Sequence, residues 1–372
     1  MSATRRHPMG KTSRIRNAER APPEDMADAT AREAGATLHN VGKDEEAWNR
    51  VVFVLGAPRS GTTWIAKILD SHPDVLYRHE PDIALRDYSF PTLCESAEIP
   101  AHRAAARAHL ERLLAVRTLR ATGSRPVFRK SWQGAGAHLA RLGLLLLLQG
   151  MVRFPPARDL ARRVAIPDFG DWRCHPELRV VLKSVSALGR AGLYTAAAPR
   201  ARFVLILRHP CGQVDSMLRG KSLAKFEGTL RAGNALGLET ARQHGLARDR
   251  FEALPPAEQF AWDWTLLNQL ALEQMHAAPW LKILRYEDVC AAPLEMAEEL
   301  LAFAGLSWNS QTERFLGDST TYRGRDSYYQ IYRTSHEAAR RWRQRLSPEV
   351  QRAILAIALR TEAGRLYVDA DD

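Results

Sequence analysis

The chain has 372 residues, of which 45% are hydrophobic and 26% charged, and its formal net charge is +11. The hydrophobic content is ample for the core of one large domain or two smaller ones. The positive charge would suit nucleic acid, but its arginines form no block interleaved with aromatic side chains, so we expect no nucleic-acid partner.

The first segment, residues 1–46, mixes charged residues, proline and alanine without an apolar period. This pattern predicts a disordered or loosely attached leader, with the folded domain over residues 47–372. The four cysteines, Cys94, Cys174, Cys211 and Cys290, lie far apart and lack the spacing of a zinc site. They are typical of reduced thiols in a cytoplasmic protein.

A hydrophobic strand is predicted over Val51–Leu55, and a loop rich in small residues follows it. Gly56 and Gly61 are five residues apart, as in a phosphate-binding P-loop. Thr62-Thr63 stands where an NTPase carries Lys-Ser/Thr. The loop therefore predicts an anion site at a helix N-terminus, for a nucleotide other than ATP bound in the usual Mg-dependent way.

Further strands and helices alternate along the chain, which predicts an α/β fold with a P-loop-like parallel sheet flanked by helices. The later strands are predicted at Asp74–His79, Leu178–Lys183, Arg202–Arg208 and Leu281–Tyr286. Helices are predicted at Gly212–Arg219, Glu258–Ala277 and Leu294–Ala304, with a terminal helix that begins after Ser347.

Residues 81–177 are too many for a simple crossover between two strands. Their content of Ala, Leu and Arg predicts a large, mainly helical insertion that forms a lid over the acceptor. The apolar run Leu142–Val152 is too short to span a bilayer and favours a buried core helix. A wall for an apolar acceptor and a contact with a membrane surface stay open as alternatives.

Two motifs carry a resemblance to a known family. Pro58-Arg59-Ser60-Gly61-Thr62-Thr63-Trp64 resembles the 5′-phosphosulfate loop of sulfotransferases that use 3′-phosphoadenosine 5′-phosphosulfate (PAPS). The segment from Arg202 to Pro210, followed by Ser216, resembles that family's 3′-phosphate motif. The resemblance implies PAPS as donor, 3′-phosphoadenosine 5′-phosphate (PAP) as product and no metal ion.

Donor-binding residues follow from this resemblance. It implies that the loop binds the 5′-phosphosulfate, that Trp64 packs on adenine, that Arg208 and Ser216 bind the 3′-phosphate and that Tyr286 approaches the nucleotide. Trp64 could instead be an ordinary core residue. The motif Trp342-Arg343-Gln344-Arg345-Leu346 near the C-terminus resembles one of the carbohydrate-type members and adds Arg343, with an ordinary solvated surface as the alternative for so basic a cluster. The full set is Arg59, Ser60, Gly61, Thr62, Thr63, Trp64, Arg208, Ser216, Tyr286 and Arg343.

Catalytic roles are implied for Glu80, Arg59 and Lys183. Lys183 resembles the strand-end lysine of the cytosolic members, but Val185 stands where those enzymes carry a histidine base. Glu80-Pro81 resembles the Glu-Pro element of the carbohydrate-type members, so Glu80 is the candidate base. Pro81 predicts an extended Glu80 backbone. A plain ion pair with an arginine is the alternative for this carboxylate.

We therefore expect a PAPS-dependent sulfotransferase that acts on a hydroxyl or amine of a small molecule, glycan or lipid, with a carbohydrate or glycolipid favoured. A nucleotide-binding module without turnover and a P-loop kinase-like phosphotransferase are the alternatives. No transmembrane segment is predicted, peripheral membrane contact is left open, and the oligomeric state is undetermined.

Overall fold

The computed structural model describes residues 45–367 except 86, 88, 170–174, 176, 223–234 and 322–338. At its centre is a five-stranded parallel sheet with the order β2-β3-β1-β4-β5. The strands are β1 Val51–Gly56, β2 Val75–His79, β3 Arg179–Ser184, β4 Arg202–Leu207 and β5 Leu281–Arg285. All five predicted strands are confirmed, each within one residue at either end.

Helices cover both faces of the sheet and fill the insertion. In chain order they are α1 Thr62–Asp70, α2 Pro81–Leu85, α3 Ile99–Ala115, α4 Leu119–Thr122, α5 Ala135–Met151, α6 Pro155–Arg163, α7 Ala191–Ala197, α8 Pro210–Ser222, α9 Glu239–Gln243, α10 Arg248–Glu252, α11 Pro256–Met275, α12 Tyr286–Ala291, α13 Pro293–Ala304, α14 Ser310–Thr321, α15 Trp342–Arg345, α16 Pro348–Ala358 and α17 Glu362–Arg365. Ser347 caps α16 as predicted, its side chain accepting a hydrogen bond from the Val350 N–H.

The side chains of β1 alternate between two hydrophobic cores. Phe53 faces one core, where its ring stacks on Phe203 at 5.1 Å between centroids and packs against Tyr194 of α7. Val52 and Val54 face the other core, which is shared with α1 and α13. Because both faces of β1 are buried, its sequence is a continuous apolar run and not an alternating one.

The strand order places a switch point at the carboxyl end of β1. The chain passes from β1 to β2 and β3 on one side of it, and then to β4 and β5 on the other. Ligands in open α/β sheets bind in the crevice at such a point. The loops that follow β1, β2, β4 and β5 begin at this edge of the sheet, and they carry the candidate residues.

The insertion is mainly helical, as predicted, and contains α2 to α6. Its helix α3 packs against α7, which fastens it to the sheet domain. A small separate core of Leu145, Leu148, Ala161 and Ile166 holds α5 and α6 together.

The prediction that the apolar run Leu142–Val152 is a buried core helix is wrong. All of the run except Val152 lies in α5, which buries Leu145 and Leu148 but leaves Leu146 and Leu147 exposed. The small core beneath α5 takes only one face of the helix. No helix among the described residues has the length and apolar character needed to cross a membrane.

The predicted leader lies outside the described residues except for its last two positions, which begin a 3₁₀ turn at Glu45–Arg50. Cys94, Cys211 and Cys290 are buried and form no disulfide. Cys174 lies outside the described part of the chain.

Candidate active site

The loop between β1 and α1 has the shape of an anion cradle. Arg59 and Gly61 have positive φ angles of 72° and 86°, which turn the backbone back over the end of the strand. A Cβ built on Gly61 would lie 2.2 Å from the Tyr286 ring, so this position requires glycine for space as well as for conformation. No side chain caps α1. The Trp64 N–H donates to the Gly61 carbonyl at 3.0 Å, and the N–H groups of Thr62 and Thr63 precede the first intrahelical acceptor.

The loop is joined to β4 and α8 by two hydrogen bonds. Arg59 Nε donates to Ser216 Oγ at 2.9 Å, and an Arg208 guanidinium nitrogen donates to the Arg59 carbonyl at 2.7 Å. Trp264 of α11 fixes the Arg208 backbone by donating its indole N–H to the Arg208 carbonyl at 3.0 Å. The structure thus brings together three residues that are 149 and 157 positions apart in sequence, as the motifs required.

One nitrogen of Arg208 has no hydrogen-bond partner. The Nε atom is buried and unpaired, and it would lie 3.2 Å from a Cβ built on Gly212 in the first turn of α8. The guanidinium also lies over the Tyr286 ring, 4.9 Å from its centroid. An unpaired guanidinium N–H beside a helix N-terminus is a suitable donor for a phosphate oxygen. The residues present therefore fit a nucleotide that carries a phosphate at this point.

Trp64 and Tyr286 form an aromatic contact under the loop. Their rings meet edge to face at 6.2 Å, and the Trp64 indole N–H donates to Ser319 Oγ at 3.1 Å. Both side chains are buried in the core shared with α13. This arrangement fits the core alternative for Trp64, and Tyr286 supports the cradle from below.

The C-terminal basic motif comes to the same edge of the sheet. Trp342 of α15 stacks on His209 with 4.3 Å between ring centroids, and the Arg343 guanidinium lies 5.2 Å from the Trp342 ring. A small cavity of about 50 Å³ separates this motif from α12. Its lining is His209, Glu287, Cys290, Ala291, Ala339, Arg340, Trp342 and Arg343. The structure therefore places Arg343 next to the strand end that carries Arg208.

Sequence reasoning missed His209 and Glu287. The Glu287 carboxylate accepts the His209 backbone N–H at 3.1 Å, and its second oxygen is buried without a partner. Burial raises the pKa of Glu287 to about 7, although Arg208 acts in the opposite direction. The sequence signal was present, since Glu287 follows Tyr286 directly at the end of β5.

Glu80 and Lys183 form a close ion pair at the ends of β2 and β3. Lys183 Nζ lies 2.6 Å from Glu80 Oε1, and Arg120 of the insertion contacts the other carboxylate oxygen at 2.9 Å. The Glu80 N–H donates to the Lys183 carbonyl at 2.8 Å, which continues the strand pairing. Glu80 thus lies between a buried lysine and an exposed arginine.

The extended backbone predicted for Glu80 is wrong. Its φ is 47°, in the left-handed region. Pro81 disfavours the right-handed helical region for the residue before it, and Glu80 avoids that region through the left-handed one and not through an extended backbone. The left-handed turn lets the carboxylate reach Lys183, and it also breaks strand alternation, since His79 Nε2 lies 3.8 Å from Glu80 Oε1.

The charge states around Glu80 follow from burial and from its neighbours. Burial by itself raises the pKa of the Glu80 carboxyl, but the combined opposite effect of Lys183, His79 and Arg120 is larger. The resulting pKa is lowered to about 2. Burial lowers the pKa of the Lys183 ammonium group while Glu80 opposes that change. Because either charge alone would be buried unpaired, the pair stays ionised. Burial and the nearby Lys183 charge lower the pKa of His79 to about 3, so its ring is neutral.

A second carboxylate, Asp82, lies beside this pair and was not singled out in the sequence. Its Oδ2 accepts hydrogen bonds from the hydroxyls of Ser184 and Ser186, and its Oδ1 is buried without a partner. Burial raises its pKa above the usual value. The neighbouring carboxylates Glu80 and Asp82 thus have opposite pKa shifts.

Of the histidines in the insertion, His109 is held inside the structure. Its ring bonds to Asp87 at 2.9 Å and to the Tyr194 hydroxyl at 3.0 Å, and it is fully buried. Burial lowers its pKa to about 4. These contacts explain His109 as a structural residue. No group of His, Cys, Asp or Glu among the described residues could hold a metal ion.

The sequence model of the Sulfotransferase family matches residues 51–310. No curated protein gives a significant match. Among solved structures, the sulfotransferase domain of the Synechococcus PCC 7002 olefin synthase is 16% identical, with 83% of this chain and 93% of that chain covered and a TM-score of 0.43.

Two further solved structures are similar at the same level. Sulfotransferase STF9 from Mycobacterium avium is 14% identical, with 90% and 83% of the two chains covered and a TM-score of 0.41. Mouse sulfotransferase SULT7A1, solved in complex with PAP, is 11% identical, with 91% and 93% covered and a TM-score of 0.37. Because these TM-scores are all below 0.5, the family of this chain rests on the sequence model that matches residues 51–310 and not on the similar structures.

Proposed function

Because the chain belongs to the Sulfotransferase family, whose sequence model matches residues 51–310, we propose that it moves the sulfuryl group of PAPS to a hydroxyl or amine acceptor. The observation that carries the choice of donor is the unpaired Arg208 Nε beside the N-terminus of α8. Four other arginines among the described residues also have a buried Nε without a partner, so what distinguishes Arg208 is its position beside the N-terminus of α8 and the loop after β1. A 3′-phosphate supplies the missing acceptor.

The cradle after β1 is the proposed site of the 5′-phosphosulfate. Gly61, Thr62 and Thr63 offer two hydroxyls and backbone N–H groups at the start of α1. Ser60 belongs to the same loop, but its hydroxyl and its N–H already donate to the Ala57 carbonyl at 2.7 and 3.2 Å. Arg59, Arg208 and Ser216 are already connected by hydrogen bonds. Such connections hold the two phosphate sites at a fixed separation before donor binds, and preorganisation of this kind lowers the entropic cost of binding.

The donor supplies an electrophilic sulfur and a phosphate leaving group. Lys183 and Arg59 provide positive charge for the oxygen of that leaving group. Glu80 accepts the proton of the acceptor hydroxyl as the new S–O bond forms and the bond to the phosphate breaks. In the described state Glu80 is held by Lys183, so we propose that Lys183 turns toward the donor and leaves the carboxylate free to act as base.

The acceptor class that we propose is a carbohydrate or glycolipid. It rests on Glu80-Pro81 at the end of β2 and on Val185 at the position of the histidine in the cytosolic members. The mainly helical insertion would form the wall of the acceptor site, since its Arg120 already reaches Glu80. A cytoplasmic location is part of the proposal, in keeping with Cys94, Cys211 and Cys290 as thiols outside any disulfide.

The test is transfer from PAPS labelled in its sulfuryl group, in the presence of a metal chelator, to a panel of sugars, glycolipids, phenols and amines. We expect PAP and a labelled sugar or glycolipid as products without added metal. Transfer from ATP with Mg²⁺, and none from PAPS, would identify a kinase. Binding of PAP with no turnover on any acceptor would favour a nucleotide-binding module, and labelled phenols alone would contradict the acceptor class.

A further inference from the structure

Helix α5 exposes an entirely apolar face. All of its exposed positions are alanine, glycine or leucine: Ala135, Gly136, Leu139, Ala140, Gly143, Leu146 and Leu147. Their spacing of three and four places them along one side of the helix. A soluble helix normally turns its polar residues outward, so the pattern of α5 is inverted.

Exposed apolar side chains are concentrated at this face and at the turn that follows. The five most exposed large hydrophobic side chains of the described residues all fall in α5, in α6 or between them. They are Leu139 at 67%, Phe154 at 66%, Leu147 at 62%, Leu160 at 61% and Leu146 at 58%. Single exposed leucines are common, but such a cluster marks a surface that contacts something apolar.

The orientation of α5 is fixed by its inward polar contacts. Arg141 donates to the Thr122 carbonyl at 3.5 Å, and Gln149 donates to the Gly123 carbonyl at 3.0 Å. Leu145 and Leu148 fill the small core on the same side. Rolling the helix to hide Leu146 and Leu147 would break these bonds and expose that core. The apolar face is therefore a stable feature of this helix pair.

The border of the face is strongly basic. Arg153, Arg158, Arg162 and Arg163 are all exposed at the end of α5 and on α6, and Asp159 is the only acidic residue in 135–163. Guanidinium groups beside exposed leucine and phenylalanine form the pattern of a segment that lies in the interface of an anionic membrane. A second copy of this chain would bring its own four arginines against these, so self-association is disfavoured by charge.

We propose that α5 and α6 dock this protein onto the surface of an anionic lipid membrane. The apolar side chains, with Phe154 between the two helices, enter the acyl boundary, and the four arginines contact the lipid phosphates. The 17-residue helix α5 lies in the plane of the interface and does not span the bilayer. This proposal concerns a face outside the candidate active site and does not depend on the proposed function.

The test uses the full chain and sedimentation with two kinds of lipid vesicle, phosphatidylcholine alone and phosphatidylcholine mixed with phosphatidylglycerol. We expect binding to the mixed vesicles at about 0.1 M salt and its loss as the salt is raised, because surface charges are then screened. The double variant Leu146→Ser/Leu147→Ser should bind at least about tenfold more weakly, since two large apolar side chains no longer enter the lipid. Arg162→Gln/Arg163→Gln should lose about fivefold per arginine.

A matched control changes an exposed leucine and an exposed arginine elsewhere. Leu294→Ser/Arg200→Gln lies outside this face and should bind vesicles like the unchanged protein. Circular dichroism checks that each variant is folded. The proposal is overturned if the control loses as much binding as the α5 variant, or if the unchanged protein ignores anionic vesicles. It is also overturned if Leu146 and Leu147 instead control dimer formation in sedimentation equilibrium.

Discussion

The Arg208 side chain allows the proposed donor site to be tested by comparing two ligands. Replacing it with alanine should weaken PAP binding by about 10- to 100-fold, because a hydrogen bond to a charged group is typically worth about 1.5–3 kcal/mol. Adenosine 5′-phosphate lacks the 3′-phosphate and should lose less. Both ligands will lose some affinity, since Arg208 also donates a hydrogen bond to the Arg59 carbonyl in the loop that both would contact. Titration calorimetry with both ligands measures the difference.

A control for the Arg208 variant is Arg345→Ala, which removes a nearby guanidinium that pairs with Asp215 at 3.3 Å. It should leave the ratio of the two affinities unchanged. Equal losses for PAP and adenosine 5′-phosphate in Arg208→Ala would remove this residue from the 3′-phosphate site.

At Glu80 we expect catalysis to depend on the carboxylate. Glu80→Gln keeps the shape of the side chain and should reduce turnover by about 10²- to 10⁴-fold, the usual contribution of a positioned base, while PAP still binds. The pKa of Glu80 is lowered to about 2, so its carboxylate is ionised throughout the ordinary pH range. The acid limb of kcat/KM that belongs to Glu80 should therefore lie below pH 4.

Two outcomes would place the base elsewhere. Near-full turnover of Glu80→Gln with a good acceptor would exclude this carboxylate. An acid limb with its midpoint near 7 would instead indicate Glu287, whose pKa is raised to about 7 by burial. Lys183 loses its charged partner in Glu80→Gln. The melting temperature of this variant must therefore be measured, to separate a loss of catalysis from a loss of folded protein.

The spacing of the motifs was enough to predict that residues placed by the strand ends would lie close together. Arg59, Arg208 and Ser216 were expected at one site, and the structure joins them by hydrogen bonds. Their donor-binding roles stay predictions. The left-handed backbone of Glu80 was missed because it depends on the tertiary contact with Lys183. No local pattern encodes a contact between residues 103 positions apart.

At the level of elements, a buried ion cluster fastens the insertion to the first helix. Asp70 at the end of α1 pairs with Lys67 at 2.7 Å and Lys130 at 2.9 Å, and Lys67 also donates to the carbonyls of Ser124 and Pro126. Burial by itself raises the pKa of Asp70, but the opposite effect of Lys130 and Lys67 is larger, so the pKa is lowered overall. The three side chains are almost fully buried.

We therefore expect Asp70→Ala to lower the free energy of unfolding by about 3–5 kcal/mol, because it leaves buried ammonium groups without their counter-charge. Urea denaturation measures the change. The control is Glu252→Ala, which removes an exposed pair with Arg248 at 3.5 Å and should cost less than about 1 kcal/mol. Similar costs in both variants would mean that the buried cluster contributes no more than a surface pair.

The predicted elements show where local pattern is sufficient. β1 and β4 are buried on both faces, so their uninterrupted apolar runs identified them. The same kind of run in α5 led to the wrong prediction of a buried core helix, since an apolar segment indicates only that its side chains can contact an apolar phase. Whether that phase is the protein core depends on neighbours that the segment does not encode, here the small core beneath α5.

For the whole molecule, buried histidines predict how stability changes with pH. Burial lowers the pKa of His79 to about 3 and of His109 to about 4 in the folded state. The unfolded chain protonates these residues below about 6.5. Between that pH and about 4 the unfolded state binds more protons at these two histidines, so their contribution to folding stability falls as the pH falls. Glu287, whose pKa burial raises to about 7, contributes in the opposite direction.

The expected loss is about 1 kcal/mol for each of the two histidines between pH 7 and pH 5.5. Urea midpoints across this range measure it. His109→Gln should reduce the slope relative to that of the unchanged protein. A slope unaffected by His109→Gln would mean that its imidazole is protonated in the folded protein.

The strand order also governs how this chain can be made. Of the five described strands β1 leaves the ribosome first, yet it is the central strand, and its partners β3 and β4 begin only at Arg179 and Arg202. Until those residues are synthesised, both edges of an apolar strand have nothing native to pair with. Unpaired strand edges of this kind invite pairing between nascent chains. Translation that stops before residue 202 should thus yield aggregating fragments, and chaperones that hold the growing chain should raise the yield of folded protein.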